Sequence, residues 1–145
     1  MNKPTTERTI HATPEKVWSV LSDGWLYPLF VVGASRMREV DDPWPAEGSA
    51  IHHSVGGWPA LIDDKTIVME SVPQERLVLR ARAWPIGEAQ VIFELEPRGT
   101  DTHVSITEDA VSGPGAWGPG VLRKPMLAWR NIETLRRLAF VAERR

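Results

Sequence analysis

From Ala34 to Ala110 the chain is written in short apolar–polar runs, cut by proline, glycine and paired aspartates, with no helical run between them. The runs are Ala34 to Val40, Ser49 to Val55, Leu61 to Ser71, Arg76 to Ala83, Ala89 to Glu96 and Thr102 to Ala110. Asp41-Asp42-Pro43, Gly56-Gly57, Val72-Pro73, Trp84-Pro85-Ile86-Gly87 and Pro97-Arg98-Gly99 separate them. Strands at such spacing predict an antiparallel meander. Leu77, Leu79 and Ala81 share one face, as do Val91, Phe93 and Leu95, and Val104 with Ile106. Gln90, Glu94 and Glu96 lie opposite in the first of the last two runs, and His103, Ser105 and Thr107 in the second, so the sheet has one buried face, and something must cover it.

The cover is at the end. A glycine- and proline-rich loop, SGPGAWGPG (112–120), leads into a helical stretch reaching about Glu143. At 100° per residue, Val121, Ala128, Ile132, Leu135, Ala139 and Ala142 form one stripe. Leu122, Met126, Trp129 and Phe140 widen it on one side, Leu127 and Leu138 on the other. Arg123, Arg130, Glu133, Thr134 and Arg137 fill the opposite face, a solvated one. So broad an apolar arc needs a broad apolar partner, and the sheet supplies one. Pro125 requires that the helix start near it or bend there. A bend would splay the first turns away from the sheet and open space beneath them, close to the loop.

At the front, residues 4–12 read as a strand. Thr13 can cap a helix, Pro14 suits its first position and Glu15 its positive end. Asp23-Gly24 stops that helix, and Trp25 to Val32 reads as a second short helix or turn. The class is therefore α+β, and 145 residues suit one domain, residues 1–145. With a net charge of −2, the chain lacks the basic excess of a general nucleic-acid or anionic-membrane binder. It has no cysteine, which excludes a disulfide scaffold, a thiol nucleophile and a thiolate metal site. No stretch suits a signal peptide or an integral membrane span, so a soluble, cytoplasmic protein is expected.

Ile10-His11-Ala12-Thr13-Pro14-Glu15-Lys16-Val17-Trp18, Val72-Pro73-Gln74-Glu75-Arg76-Leu77-Val78-Leu79 and the tail from Trp129 to Leu138 resemble the START-like (SRPBCC) superfamily. Its members include Bet v 1-like plant ligand binders, bacterial polyketide cyclases and aromatases, and lipid-transfer domains. The resemblance covers nearly the whole chain. It implies a helix-grip fold: a curved antiparallel sheet wrapped around a long C-terminal helix, two short helices after the first strand, and a deep cavity between sheet and helix. The motifs are specific for this fold and not for one activity.

Several side chains are candidates for that cavity. His52 and His53 point to opposite faces of one strand, and Ile51 and Val55 assign the inward one to His53. There it can orient a ligand, serve as a catalytic acid or base, or be a plain lining residue. Glu108 shares a face with Val104 and Ile106; it either sits inward with a raised pKa or frays at the strand end. Asn131 falls within the helix arc and can bond a ligand or a backbone group. Trp18, Trp25, Trp58, Trp84, Trp117 and Trp129 exceed what a small core needs, and several are expected at the pocket or its mouth. Phe93, Leu122 and Met126 complete the expected ligand-binding set. His11, His52, His53 and His103 have no ligand spacing, and the glycines at 113, 115, 118 and 120 form no phosphate loop; no metal and no cofactor are expected.

The leading reading is a carrier or sensor of a hydrophobic small molecule such as a lipid, polyketide or isoprenoid. It acts as a monomer or homodimer without nucleic acid. The alternatives are a cyclase- or dehydratase-like enzyme using His53, and a protein–protein regulatory module acting through the outer face of the sheet.

Overall fold

The structure is a computed structural model that describes residues 5–26, 34–55, 62–83, 87–112 and 120–144. They form β1 (Thr5–Ile10), α1 (Pro14–Leu21), a 3-10 turn (Gly24–Leu26), β2 (Ala34–Val40), β3 (Ala50–Val55), β4 (Ile62–Val72), β5 (Arg76–Ala83), β6 (Gly87–Arg98), β7 (Asp101–Ser112) and α2 (Gly120–Ala142). The strands make one antiparallel sheet in the order β1-β7-β6-β5-β4-β3-β2. β1 and β2 thus lie at opposite edges, and the segment carrying α1 crosses between them. Register shifts in β2, β4 and β7 add local twist and help the sheet curl.

Local chemistry accounts for most boundaries. Thr13 Oγ1 accepts from the Lys16 N–H at 3.3 Å, and Pro14 stands at the first helical position of α1. β1 stops at Ile10 rather than continuing to Ala12, because the Ala12 N–H turns back onto the Ile10 carbonyl at 2.9 Å. β6 runs through Pro97. The Leu95 N–H reaches the Glu75 carbonyl at 2.8 Å, beyond the last β5–β6 pair. By alternation the Pro97 nitrogen points to that same side, where β5 has already turned away, so no ladder bond is lost. Gly99, with φ 65°, makes the tight β6–β7 turn. The expected second short helix begins one residue early, at Gly24; residues 27–33 lie outside the described residues.

Gly24 fixes how closely the 3-10 turn approaches the sheet. A Cβ there would stand 2.8 Å from Val40 Cγ1 and 2.9 Å from Ile51 Cγ2. Ile51 is fully buried and cannot step aside. Gly24→Ala is expected to cost about 1–3 kcal/mol, the range for overpacking. Urea unfolding checks this; an unchanged midpoint would mean that the turn yields.

The core lies between the inner sheet face, α1 and the C-terminal half of α2. α2 packs on β1, β7 and α1. Its end is fixed by the His11 N–H donating to Glu143 Oε2 at 3.0 Å. The buried face of α2 is Asn131, Thr134, Leu135, Leu138, Ala139 and Ala142. This corrects the arc expected from periodicity. Ile132, Trp129 and Phe140 lie outside, and Thr134, assigned to solvent, lies inside. Apolar residues span more of this helix than one face can bury, and contact with β1 and α1 selects the Leu138 side. α2 also begins five residues before Pro125 rather than at it.

Candidate functional site

The inner face turns polar at one place. Along β7, Thr102, Val104, Ile106 and Glu108 are buried in alternation. The register sets Ile106 beside Phe93 and Glu108 beside Val91 on β6. Glu108 is thus a carboxyl at the end of an apolar row, only 4% exposed. Its partner comes from α2, where Arg130 Nη2 donates to Glu108 Oε1. Burial pushes the Glu108 carboxyl above its ordinary pKa, while the Arg130 charge and the nearby Asn131 amide pull it down; burial wins.

Asn131 is 3% exposed. Its side chain is near enough to favour the Glu108 carboxylate. Yet Asn131 Nδ2 makes no hydrogen bond of proper geometry among the described residues. An unpaired buried amide donor costs about 1–3 kcal/mol, so a site that keeps one suits an acceptor from elsewhere. Glu108, Arg130 and Asn131 together offer a carboxyl, a guanidinium and an amide donor at the margin of an apolar floor. Such a trio can orient a carbonyl or hydroxyl of an otherwise apolar molecule. A carboxyl with a raised pKa can also exchange protons closer to neutrality.

The other candidates are placed as follows. Phe93 is buried in the core between Leu77 and Ile106. Trp18, half-buried, packs against that core. Trp25 is 58% exposed and borders a surface hollow of about 290 Å³ with Asp23, Asp41, Asp42 and Trp44. Trp129 is 61% exposed on the far side of α2. His53 lies on β3 opposite Asp64 of β4. Its side chain, and those of Leu122 and Met126, are outside the described residues, as are Trp58, Trp84 and Trp117 and loop residues 113–119. His52 of β3 meets Asp41 at 3.3 Å. The described part of the site therefore joins Glu108 and Asn131, both anticipated, to Arg130, which was not. Arg130 follows Trp129 on a face that charge pattern assigns to water; only the inward position of Glu108, 22 residues earlier, hints at the pairing. Among the described residues no cluster of three or more His, Cys, Asp or Glu could hold a metal ion. No helix among them is long and apolar enough to cross a membrane.

A curved seven-stranded sheet packed on a long C-terminal helix, with its polar trio at the sheet–helix junction, defines a protein of the helix-grip class. The chain belongs to the family described as polyketide cyclase/dehydrase and lipid transport, whose model matches residues 1–143. Solved structures agree on the fold. Ara h 8.0201 is 10% identical with a TM-score of 0.75, covering 99% of both chains. A Rhodobacter sphaeroides protein is 23% identical with a TM-score of 0.73, covering 97% of this chain and 91% of its own. The di-domain aromatase/cyclase StfQ of the steffimycin biosynthetic pathway is 13% identical with a TM-score of 0.71 and covers 97% of this chain and 51% of its own. No curated protein matches by sequence.

Proposed function

We propose that this protein binds a hydrophobic small molecule of lipid, polyketide or isoprenoid type between sheet and α2, as a carrier or sensor, with a polar end of the ligand held by Asn131 and Arg130. The observation that carries this reading is the buried Asn131 Nδ2, close to the Glu108 carboxyl but without a hydrogen bond of proper geometry among the described residues. The family's description includes lipid transport, which supports the same class of cargo. Native mass spectrometry before and after solvent extraction tests it: an apolar adduct should be present and removable. Asn131→Leu keeps the approximate volume but removes the donor. It should weaken rebinding of the extracted adduct about tenfold, the loss of one good hydrogen bond. No adduct, together with no tryptophan fluorescence response to a panel of lipids and aromatics, would overturn the reading.

A second reading is favoured by the raised pKa of Glu108. The protein would then act as a cyclase- or dehydratase-like enzyme in which Glu108, or His53 across the sheet, moves a proton on a folded substrate. Under this reading Glu108→Gln or His53→Ala abolishes turnover but leaves binding nearly intact. Joint loss of binding and turnover in both variants would remove it.

A further inference from the structure

Three large apolar side chains stand exposed along the outside of α2: Trp129, Ile132 and Phe140. At 100° per residue they fall, with Arg136, within a strip about 80° wide. At 1.5 Å per residue the strip is about 16 Å long. α2 already buries its opposite face against β1, β7 and α1, so this is a second apolar surface on one helix. The cations lie with it. Arg136, bidentate on Glu133, is 60% exposed within the strip, and the Arg144 guanidinium stacks 3.7 Å from the Phe140 ring centre.

Charge along the chain is strongly divided. Residues 120–145 carry seven Lys/Arg against two Glu, whereas the first 119 residues carry ten Lys/Arg against 17 Asp/Glu. The net charge of −2 therefore hides a basic helix on an acidic body. That body includes the outer face of the sheet, where Glu7, Glu75, Glu94 and Glu96 outnumber Arg76 and His103 around one hollow.

We propose that the outer face of α2 docks on an anionic lipid surface. Trp129, Ile132 and Phe140 enter the boundary between headgroups and acyl chains, and Arg136 and Arg144 lie at the headgroup phosphates. Aromatic and aliphatic residues beside arginines on a helix face are the chemistry of interfacial binding. The acidic body is repelled by the same surface, which fixes the orientation. A second copy of the chain fits less well. The exposed apolar area is on the order of 300 Å², against about 800 Å² per partner in a stable interface, and pairing would set two basic helices face to face. Docking complements a lipid carrier but does not depend on what the interior holds.

Vesicle co-sedimentation tests this with the full chain. The wild type should pellet with phosphatidylcholine vesicles containing phosphatidylserine, and much less with phosphatidylcholine alone or at high salt. The double variant Trp129→Ala, Phe140→Ala should bind at least about tenfold more weakly. Arg136→Gln with Arg144→Gln should lose the preference for the anionic lipid. These side chains lie outside the core, so circular dichroism and uptake of the interior ligand should be unchanged. Equal pelleting with neutral vesicles, no pelleting at all, or full binding by the aromatic double variant would overturn the proposal. So would a dimer in sedimentation velocity that dissociates on Trp129→Ala, which would give the strip to a second copy. Because uptake of the interior ligand is read separately, failure of docking is distinguishable from failure of the binding function.

Discussion

Arg130→Ala should lower the stability of the protein by about 2–3 kcal/mol at pH 8 and have almost no effect at pH 4. The variant leaves Glu108 buried without its counter-charge, and breaking a buried pair by removing one partner costs about 3–5 kcal/mol. Arg130 is partly open to solvent, so water can replace some of its contribution, which places the effect at the lower end. The sign of the pH dependence follows from the carboxyl. Its folded pKa is raised by burial, so above the unfolded value of 4.5 the native state binds more protons than the unfolded one. Stability of the wild type therefore falls as pH rises from about 4.5 toward the folded pKa, and Arg130→Ala deepens that fall. Below 4.5 both states are protonated and the difference closes. Glu108→Gln should behave oppositely, equal to or more stable than wild type at pH 8, and without this fall. Thermal unfolding at the two pH values reads both variants. A loss for Arg130→Ala that is the same at pH 4 and pH 8 would show that Arg130 matters through packing of its stem, not through charge.

Much of the scaffold is legible because alternation and turn chemistry act locally. β5 occupies the span expected from its flanking turns, and the inward positions Leu77, Leu79, Phe93, Leu95, Val104 and Ile106 are buried, although Ala81 and Val91 on the same rows are only half-buried and Val78 on the alternate face is buried too. Thr13 caps α1 because a short-range hydrogen bond needs no knowledge of the rest of the chain. What failed to be legible depends on partners distant in sequence. The burial of Thr134 and exposure of Ile132 depend on where α2 meets β1 and α1, which a helical wheel does not contain. Glu108 and Asn131 were visible as polar residues in apolar company. Arg130 was not, since nothing near it marks one arginine of a basic helix as the partner of a buried carboxyl. Whole-chain charge misled in the same way: its sum near zero concealed the division between α2 and the sheet.

Phe93→Ala is expected to have the largest effect of any single truncation on the floor of the sheet, about 3–5 kcal/mol. Phe93 is among the largest side chains that are fully buried. It stands mid-sheet between Leu77 of β5 and Ile106 of β7, in the cluster that contains Leu135 and Leu138 of α2. These neighbours are held by strand pairing on two sides and cannot collapse fully into the space. The void should therefore persist, dry and apolar, because its walls are aliphatic. At 145 residues, a 4 kcal/mol loss corresponds to a fall in Tm of about 8–16 °C. The same reasoning predicts a partial rescue: benzene should raise the Tm of Phe93→Ala by several degrees more than that of the wild type, since the variant has gained a space of about one ring. Glu108 lies one pair further along the sheet, beside Val91. If the interior ligand rests on this floor, the variant should also accept a cargo bulkier by about one ring. A variant destabilised as expected but insensitive to benzene would mean that α2 has settled onto the sheet, and uptake of bulkier cargo would then be lost as well.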